Sequence, residues 1–354
     1  MGINVLERTL GLTPEEDLKE KEFITESVIS LFHKIFGDTY TGPRMEYILR
    51  NTIYTSFTLE NPTLFTNYKL LVNPKFQKSV TKRLTDEHLQ DFWKYEFSRA
   101  GDYQKVQMIS PITNKIGRFL FSPSAKRILE QEKSTINFDQ VLDEGKILLC
   151  NVSKGKIGEE NSELFGVVIM AKIQLAALKR ARVKQENRKD FYLYVDEFQN
   201  FATEAFGQIL SEARKYRLNA ILAHQTTSQL ENKNLVHVTL ANTGTTICFR
   251  TANPEDERLM LPQFAPFIEK GDIASLPSYH FYMRLGALNP EEPFSGTTIN
   301  IETGGNHEKV RKIVESSRQL YAVKYEEKEN QKIVKPKTIE RKSKPSFASG
   351  EILP

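Results

Sequence analysis

The sequence predicts an α/β protein: an all-helical module followed by a mainly parallel β-sheet. Two observations carry this reading. From Phe23 to Gln131 apolar residues recur at helical spacing, interrupted only by turn-forming dipeptides. From Thr135 onward, short β-branched and aromatic runs alternate with helical patterns. That alternation is the rhythm of βαβ units, whose helices cover both faces of a parallel sheet.

Residues 1–22 read as a leader, with a helix start at Thr13-Pro14-Glu15-Glu16. The helical module spans 23–133. FITESVISLFHKIFG, GPRMEYILRNTIYTSF, TLFTNYKLLV, EHLQDFWKYEF and NKIGRFLF each carry helical spacing. Breaks are predicted at Gly42-Pro43, Asn61-Pro62, Asn73-Pro74, Ser110-Pro111 and Ser122-Pro123. Trp93, spaced with Phe92 and Tyr95, reads as core.

The α/β domain spans 134–304. Its predicted elements are the strand KILLCNVS (Lys146 to Ser153), the core helix SELFGVVIMAKIQLAALKRARVKQ and the strand DFYLYVDE. The helix EAFGQILSEARKY leads at once into the strand LNAILAHQ. A short polar helix, the strand TTICFRTA, the helix NPEDERLMLPQF and the strands DIASL and HFYMRLGAL complete the domain. Over 305–354, one amphipathic helix, HEKVRKIVESSRQLYAV, precedes a tail rich in Lys and Glu. With little to bury, that tail is predicted to be disordered.

Composition bounds the function. The 354 residues are 39% hydrophobic and 27% charged, ordinary for a globular chain long enough for two domains. A net charge of +4 and a pI near 8.7 permit a nucleic-acid partner without arguing for one. Cys150 and Cys248 lie inside apolar runs, which predicts buried, reduced thiols in a cytosolic protein. No run approaches the ~18 consecutive apolar residues of a membrane helix. The best stretch, LFGVVIMAKIQLAALKRA, is broken by Lys172 and Gln174. The N-terminus is too charged for a signal peptide. As given, the chain reads as soluble and cytoplasmic.

Its chemistry centres on FYLYVDEFQNF, residues 191–201. A buried strand finishes in two adjacent carboxylates, Asp196 and Glu197, where charge is costly unless something pairs with it. Ligands of an open parallel sheet sit at the carboxyl ends of its strands. There the first acid suits a Mg²⁺ ion held through its water shell, and the second suits orientation of an attacking water. A helix cap or a solvent-facing turn would also produce this pattern. The following strand decides between them: LNAILAHQ ends in Gln225 at the equivalent edge, where an amide can bond a γ-phosphate oxygen or a water without adding charge. Just before it, Arg214, Lys215 and Arg217 sit at a helix C-terminus. Cations there complement the helix dipole, and one guanidinium could instead reach a neighbouring subunit's phosphate.

YVDEFQNF followed by EARKYRLNAILAHQTTSQL resembles the motor domain of type IV secretion and conjugation coupling proteins of the TraG/TraD kind, relatives of the FtsK and HerA DNA-pumping ATPases. GPRMEYILRN, ISPITNKIGRFL and KILLCNVSKG extend the resemblance over most of residues 20–290. It implies a RecA-like P-loop NTPase sheet with an all-α domain ahead of it, ATP and Mg²⁺ as cofactors, and a homo-hexameric ring that moves single- or double-stranded DNA. Asp196 and Glu197 fall on the family's Walker B acids, Gln225 on its motif III glutamine and Arg214 on a proposed arginine finger. The helical module corresponds to the channel-capping all-α domain. The end of the motor domain would lie near the region linked with relaxosome and other secretion-system proteins. Family members are held at the cytoplasmic side of the inner membrane by N-terminal helices.

One departure counts against unaided activity. The family cradles phosphate with G-x-x-x-x-G-K-[ST], and no such run occurs here. SKGKIGEENSE is the nearest imitation, giving Lys154 and Lys156 at most a weak phosphate contact. In the family the P-loop strand precedes the helical domain and lies between the motif III strand and the next. The sequence is therefore expected to begin after it, the sheet to be incomplete, and a P-loop- and membrane-bearing partner segment to complete it. Arg250 is a further phosphate or interface candidate. Lys82, Arg83, Lys115 and Arg118 could line a DNA channel, although a solvated helix face explains them equally well. His224 reads as packed or hydrogen-bonded. The rival reading is a non-catalytic DNA- or protein-binding adaptor derived from such an ATPase. A two-metal nuclease would need further carboxylates that the sequence does not place nearby.

Overall fold

Thr13 opens the first helix. In the structure, a computed structural model describing residues 1–9, 11–36, 42–227, 233–286, 291–301 and 304–324, α1 runs Pro14–Phe36. Thr13 Oγ1 accepts from the Glu16 amide at 3.3 Å and the Glu16 carboxylate accepts from the Thr13 amide at 3.0 Å. This is the reciprocal cap that the Thr-Pro-Glu-Glu start predicts. The stretch read as a leader is folded: Ile3, Val5 and Leu6 are buried in the main core. Asn4 ties it down by donating to the carbonyls of Pro62 and Glu132 at 2.9 and 2.8 Å.

The helical module continues through α2 (Pro43–Ser56), α3 (Leu64–Val72), α4 (Pro74–Thr81), α5 (Glu87–Asp91), α6 (Asp102–Phe121), α7 (Pro123–Leu129) and α8 (Phe138–Glu144). A π-helical turn, Phe92–Phe97, follows α5 and buries Trp93, whose Nε1 donates to Thr55 Oγ1 at 2.8 Å. Four of the five predicted breaks fall where Pro or its predecessor cannot continue a helix. The fifth does not: α6 runs through Pro111. Losing one backbone donor there is outweighed by burial of Ile112, Ile116 and Phe119 beyond it.

Then come α9 (Lys154–Ile157), α10 (Glu159–Lys179), β1 (Phe191–Val195), α11 (Glu204–Glu212), β2 (Leu218–Leu222), α12 (Lys233–Asn242), β3 (Thr245–Phe249), α13 (Pro254–Phe264), β4 (His280–Leu285), β5 (Phe294–Thr297) and α14 (His307–Tyr321). β1 and β2 pair in parallel, Phe191 opposite Leu218 through Val195 opposite Leu222. β3, β4 and β5 form a separate antiparallel sheet, so among the described residues parallel pairing is confined to β1 and β2.

The structure corrects several expectations. Lys146–Ser153 is not a strand, and no ladder partner for it occurs among the described residues. Only one side of the segment finds a surface: Leu148 and Val152 pack partly against the main core, while Ile147 is 89% and Leu149 77% exposed. Cys150 on this segment is exposed rather than buried, whereas Cys248 in β3 is buried. DIASL forms turns that follow Gly271, whose φ of 100° suits glycine. β5, FSGT, is too short and polar to announce itself. It pairs where Gly296 lies under the Phe281 ring, which a Cβ would meet at 2.4 Å. The tail beyond 324 lies outside the described residues.

One hydrophobic core joins α1, the helical module, α10 and β1–β2. Arg180, 2% exposed, anchors its edge. Its guanidinium donates to Asp143 Oδ1 at 3.0 Å and to the carbonyls of Leu142, Lys189 and Tyr216 at 2.6, 2.9 and 3.0 Å. The last two carbonyls lie two residues ahead of the first residues of β1 and β2, so one side chain fixes the approach to both strands. No helix among the described residues is long and apolar enough to cross a membrane.

Candidate functional site

At the other end of the β1–β2 pair, the ladder extends two bonds past the strands. Ala223 N donates to Val195 O and Phe198 N to Ala223 O, both at 2.9 Å. This sets the Asp196-Glu197 turn beside the residues that follow β2. Glu197 sits in the left-handed region (φ 51°, ψ 44°), a conformation that is costly for a non-glycine residue and held by its surroundings. Its amide donates to Asp196 Oδ1 at 3.0 Å. Phe198, fully buried, packs 5.5 Å from Phe206, and Phe201 lies over Gly166 of α10, where a Cβ would meet its ring at 2.1 Å. The aromatics that flank the acids in sequence are the clamp for the turn.

Both oxygens of the half-buried Glu197 carboxylate accept amide hydrogens. Gln225 Nε2 donates to Oε1 at 2.6 Å and Gln199 Nε2 to Oε2 at 2.5 Å. Gln225 is exposed; Gln199 is buried, and its Oε1 has no partner. Asp196 is exposed at the rim. Beyond Gln225, the Thr227 amide donates to Asp256 Oδ1 at 2.9 Å and its hydroxyl bonds the same oxygen. Burial works against ionising Asp256, but the hydrogen bonds from Thr227 and Thr226 outweigh it and hold the carboxyl below its usual range. Asp256 thus pins the segment after β2 to the start of α13.

Residues 190–260 match the family described as the TraM recognition site of TraD and TraG. The resemblance to conjugation coupling proteins holds. Three solved structures of the plasmid coupling protein TrwB share the coupling-protein fold. The complex with ADP and Mg²⁺ superposes with a TM-score of 0.58 at 13% identity, covering 86% of this chain and 72% of that one. An unbound form gives 0.53 at 12% identity over 87% and 72%, and the complex with the ATP analogue ADPNP gives 0.51 at 12% over 86% and 72%. Among curated proteins no sequence match is found.

In this coupling-protein fold, three of the predicted site residues, Asp196, Glu197 and Gln225, meet at one edge. Arg214 does not join them: it is exposed in the turn before β2, at the amino end of the strand pair. Lys154 pairs with Glu159 at 2.7 Å, and Lys156 is exposed on α9. Arg250 is exposed directly after β3, and His224 is exposed rather than packed. Lys82 and Arg83 are exposed at the end of α4, while Arg118 pairs with Glu160 at 2.9 Å. Lys115 is buried, its ammonium 3.6 Å from Met45 Sδ, and burial with the nearby Arg118 charge brings its pKa down to about 8.

Among the described residues no group of three His, Cys, Asp or Glu side chains is placed to hold a metal. A lone carboxylate fits only an ion that keeps most of its water shell and takes other ligands from phosphate, as Mg²⁺ does. Two residues that shape this edge escape sequence reasoning. Gln199 is signalled only by lying two residues beyond Glu197, and Asp256 only by its place in an acidic helix start.

Proposed function

We propose that this chain is the motor portion of a DNA-translocating ATPase of the conjugation coupling-protein kind, working in a ring. The observation that carries the reading is the Glu197–Gln225 bond, which joins the carboxyl ends of two parallel strands where such a fold handles its ligand. Asp196 would hold Mg²⁺ through water, and the ion would offset phosphate charge. Glu197 would orient the attacking water. Each of its oxygens accepts one amide hydrogen and keeps a second lone pair for that water. Exposed Gln225 is free to turn toward a γ-phosphate, while buried Gln199 keeps the carboxylate aimed. Arg214, at the opposite rim, can serve only a neighbour's nucleotide.

Residues 23–133 would cap the channel and 134–304 would form the motor. Lys82, Arg83 and Arg118 are its DNA-contact candidates, and Lys154, Lys156 and Arg250 its phosphate candidates. The 190–260 segment would meet a TraM-like relaxosome protein. A P-loop-bearing partner would supply the phosphate cradle. Supporting this, the sequence has no G-x-x-x-x-G-K-[ST] run, β2 and β3 belong to different sheets, and Ile221, Ile247 and Phe249 are exposed on them. The missing run also favours a second reading, a non-catalytic adaptor.

The test is phosphate release with DNA, by the purified chain and by the chain joined to a P-loop-bearing segment. The joined protein should turn over, Glu197→Gln should retain nucleotide and lose hydrolysis, and the chain alone should match its Asp196→Asn control. Equal turnover by Glu197→Gln would remove Glu197 from the chemistry. No turnover in any joined protein would favour the adaptor.

A further inference from the structure

α14 is the helix that the motor reading leaves unused. It has no buried residue, and Val310, Ile313, Val314 and Leu320 are 43% to 71% exposed. Of its described apolar residues only Tyr321, at the last turn, packs against the main core. At 3.6 residues per turn, Leu320, Ile313, Val310, Tyr321 and Val314 fall in one arc of about 120°.

The charges are sorted around that arc. His307, Arg318 and Arg311 border it on one side, and Lys309, with Lys312 farther round, on the other. Glu308 and Glu315 lie opposite its centre, with Glu308 accepting an ion pair from Lys312 at 2.8 Å. Cations at both margins and acids at the far pole match a flat surface that is apolar within and anionic at its boundary. Long Arg and Lys side chains then reach the anionic layer while the stripe is buried. After an acidic stretch with Glu326, Glu327 and Glu329 against Lys328, residues 332–344 carry six Lys and Arg against one Glu.

A second copy fits poorly, because pairing two such stripes sets cationic margin against cationic margin, with polar Ser317 in the seam. A protein groove usually takes aromatic or Arg anchors at its centre. Here the centre is Val, Ile and Leu, and the only aromatic already packs on the body.

We propose that α14 lies on an anionic lipid surface, apolar face down, as a peripheral membrane contact of this chain. The test is flotation of the full chain with phosphatidylcholine vesicles, with and without phosphatidylglycerol. Binding should favour the anionic vesicles by about tenfold or more and weaken with salt. Ile313→Ser/Leu320→Ser, which leaves charge unchanged, should lower it about tenfold, and Glu315→Gln should leave it within about twofold. Since these side chains are exposed, melting temperatures should not move, which separates lost binding from misfolding. The proposal fails if anionic vesicles bring up no protein, if neutral ones bind equally well, or if the double variant binds like the parent. It also fails if the double variant changes only the oligomeric mass, which would mean a second copy covers the stripe.

Discussion

Gln225 Nε2 donates to Glu197 Oε1 at 2.6 Å, joining the ends of two parallel strands through a neutral amide and a carboxylate. The neutrality of that partner matters. A second carboxylate at this distance could not ionise freely beside the first.

Gln225→Glu makes the point measurable. One of the two carboxyls would keep its proton well above the usual Glu value of about 4.3. The unfolded chain gives up both protons lower, so above about pH 4 the folded variant binds more protons and loses stability as pH rises. Solvent reaches the pair, so the penalty should be modest, about 1 kcal/mol. Urea midpoints should show the variant near the parent at pH 5 and below it at pH 8. A gap that is the same at both values would mean the side chains have parted.

Arg180 should dominate stability at the opposite end. Arg180→Met removes the donors to Leu142, Lys189 and Tyr216 carbonyls in a site only 2% exposed. The cost should be about 3 kcal/mol or more. Arg180→Lys should recover little, because an ammonium cannot span the planar fork. Chemical denaturation of both variants checks this.

Gly166 and Phe201 should be coupled. An added Cβ would stand 2.1 Å from the Phe201 ring, so Gly166→Ala should cost about 1–3 kcal/mol by overpacking. In a Phe201→Leu background the same change should cost clearly less. Additive effects in a double-mutant cycle would place the strain elsewhere.

Helix starts, most proline breaks and the carboxyl-edge trio were legible because each depends on local chemistry or on strand polarity alone. Thr13 announces its cap, and Asp196 and Gln225 each close a β-rich run. What depends on a distant partner was not legible. Lys146–Ser153 has the composition of a strand, yet composition does not state whether a neighbouring strand exists, and so Cys150 came out exposed. Gln199 and Asp256 act through side chains brought up by the turn after β1 and the start of α13. Pro111 reads as a helix end until the apolar face on both sides of it is known.

Lys115 separates a channel contact from a packed lysine. Its folded pKa is about 8 against an ordinary 10.5. Below pH 8 it is charged both folded and unfolded, and the burial penalty is fully present. Between about 8 and 10.5 the folded protein has released a proton that the unfolded chain still holds, so this contribution rises with pH. Relative to the parent, Lys115→Met should therefore lose ground by about 1 kcal/mol between pH 8 and pH 10. The difference between the two proteins is the readout, because other groups titrate in the same window. DNA affinity gives the second measurement. Buried Lys115 should be dispensable, whereas losing an exposed phosphate contact, as in Lys82→Ala or Arg83→Ala, should lower the salt slope by about one per contact. A salt slope that falls in Lys115→Met would mean the helical module opens this side chain to DNA.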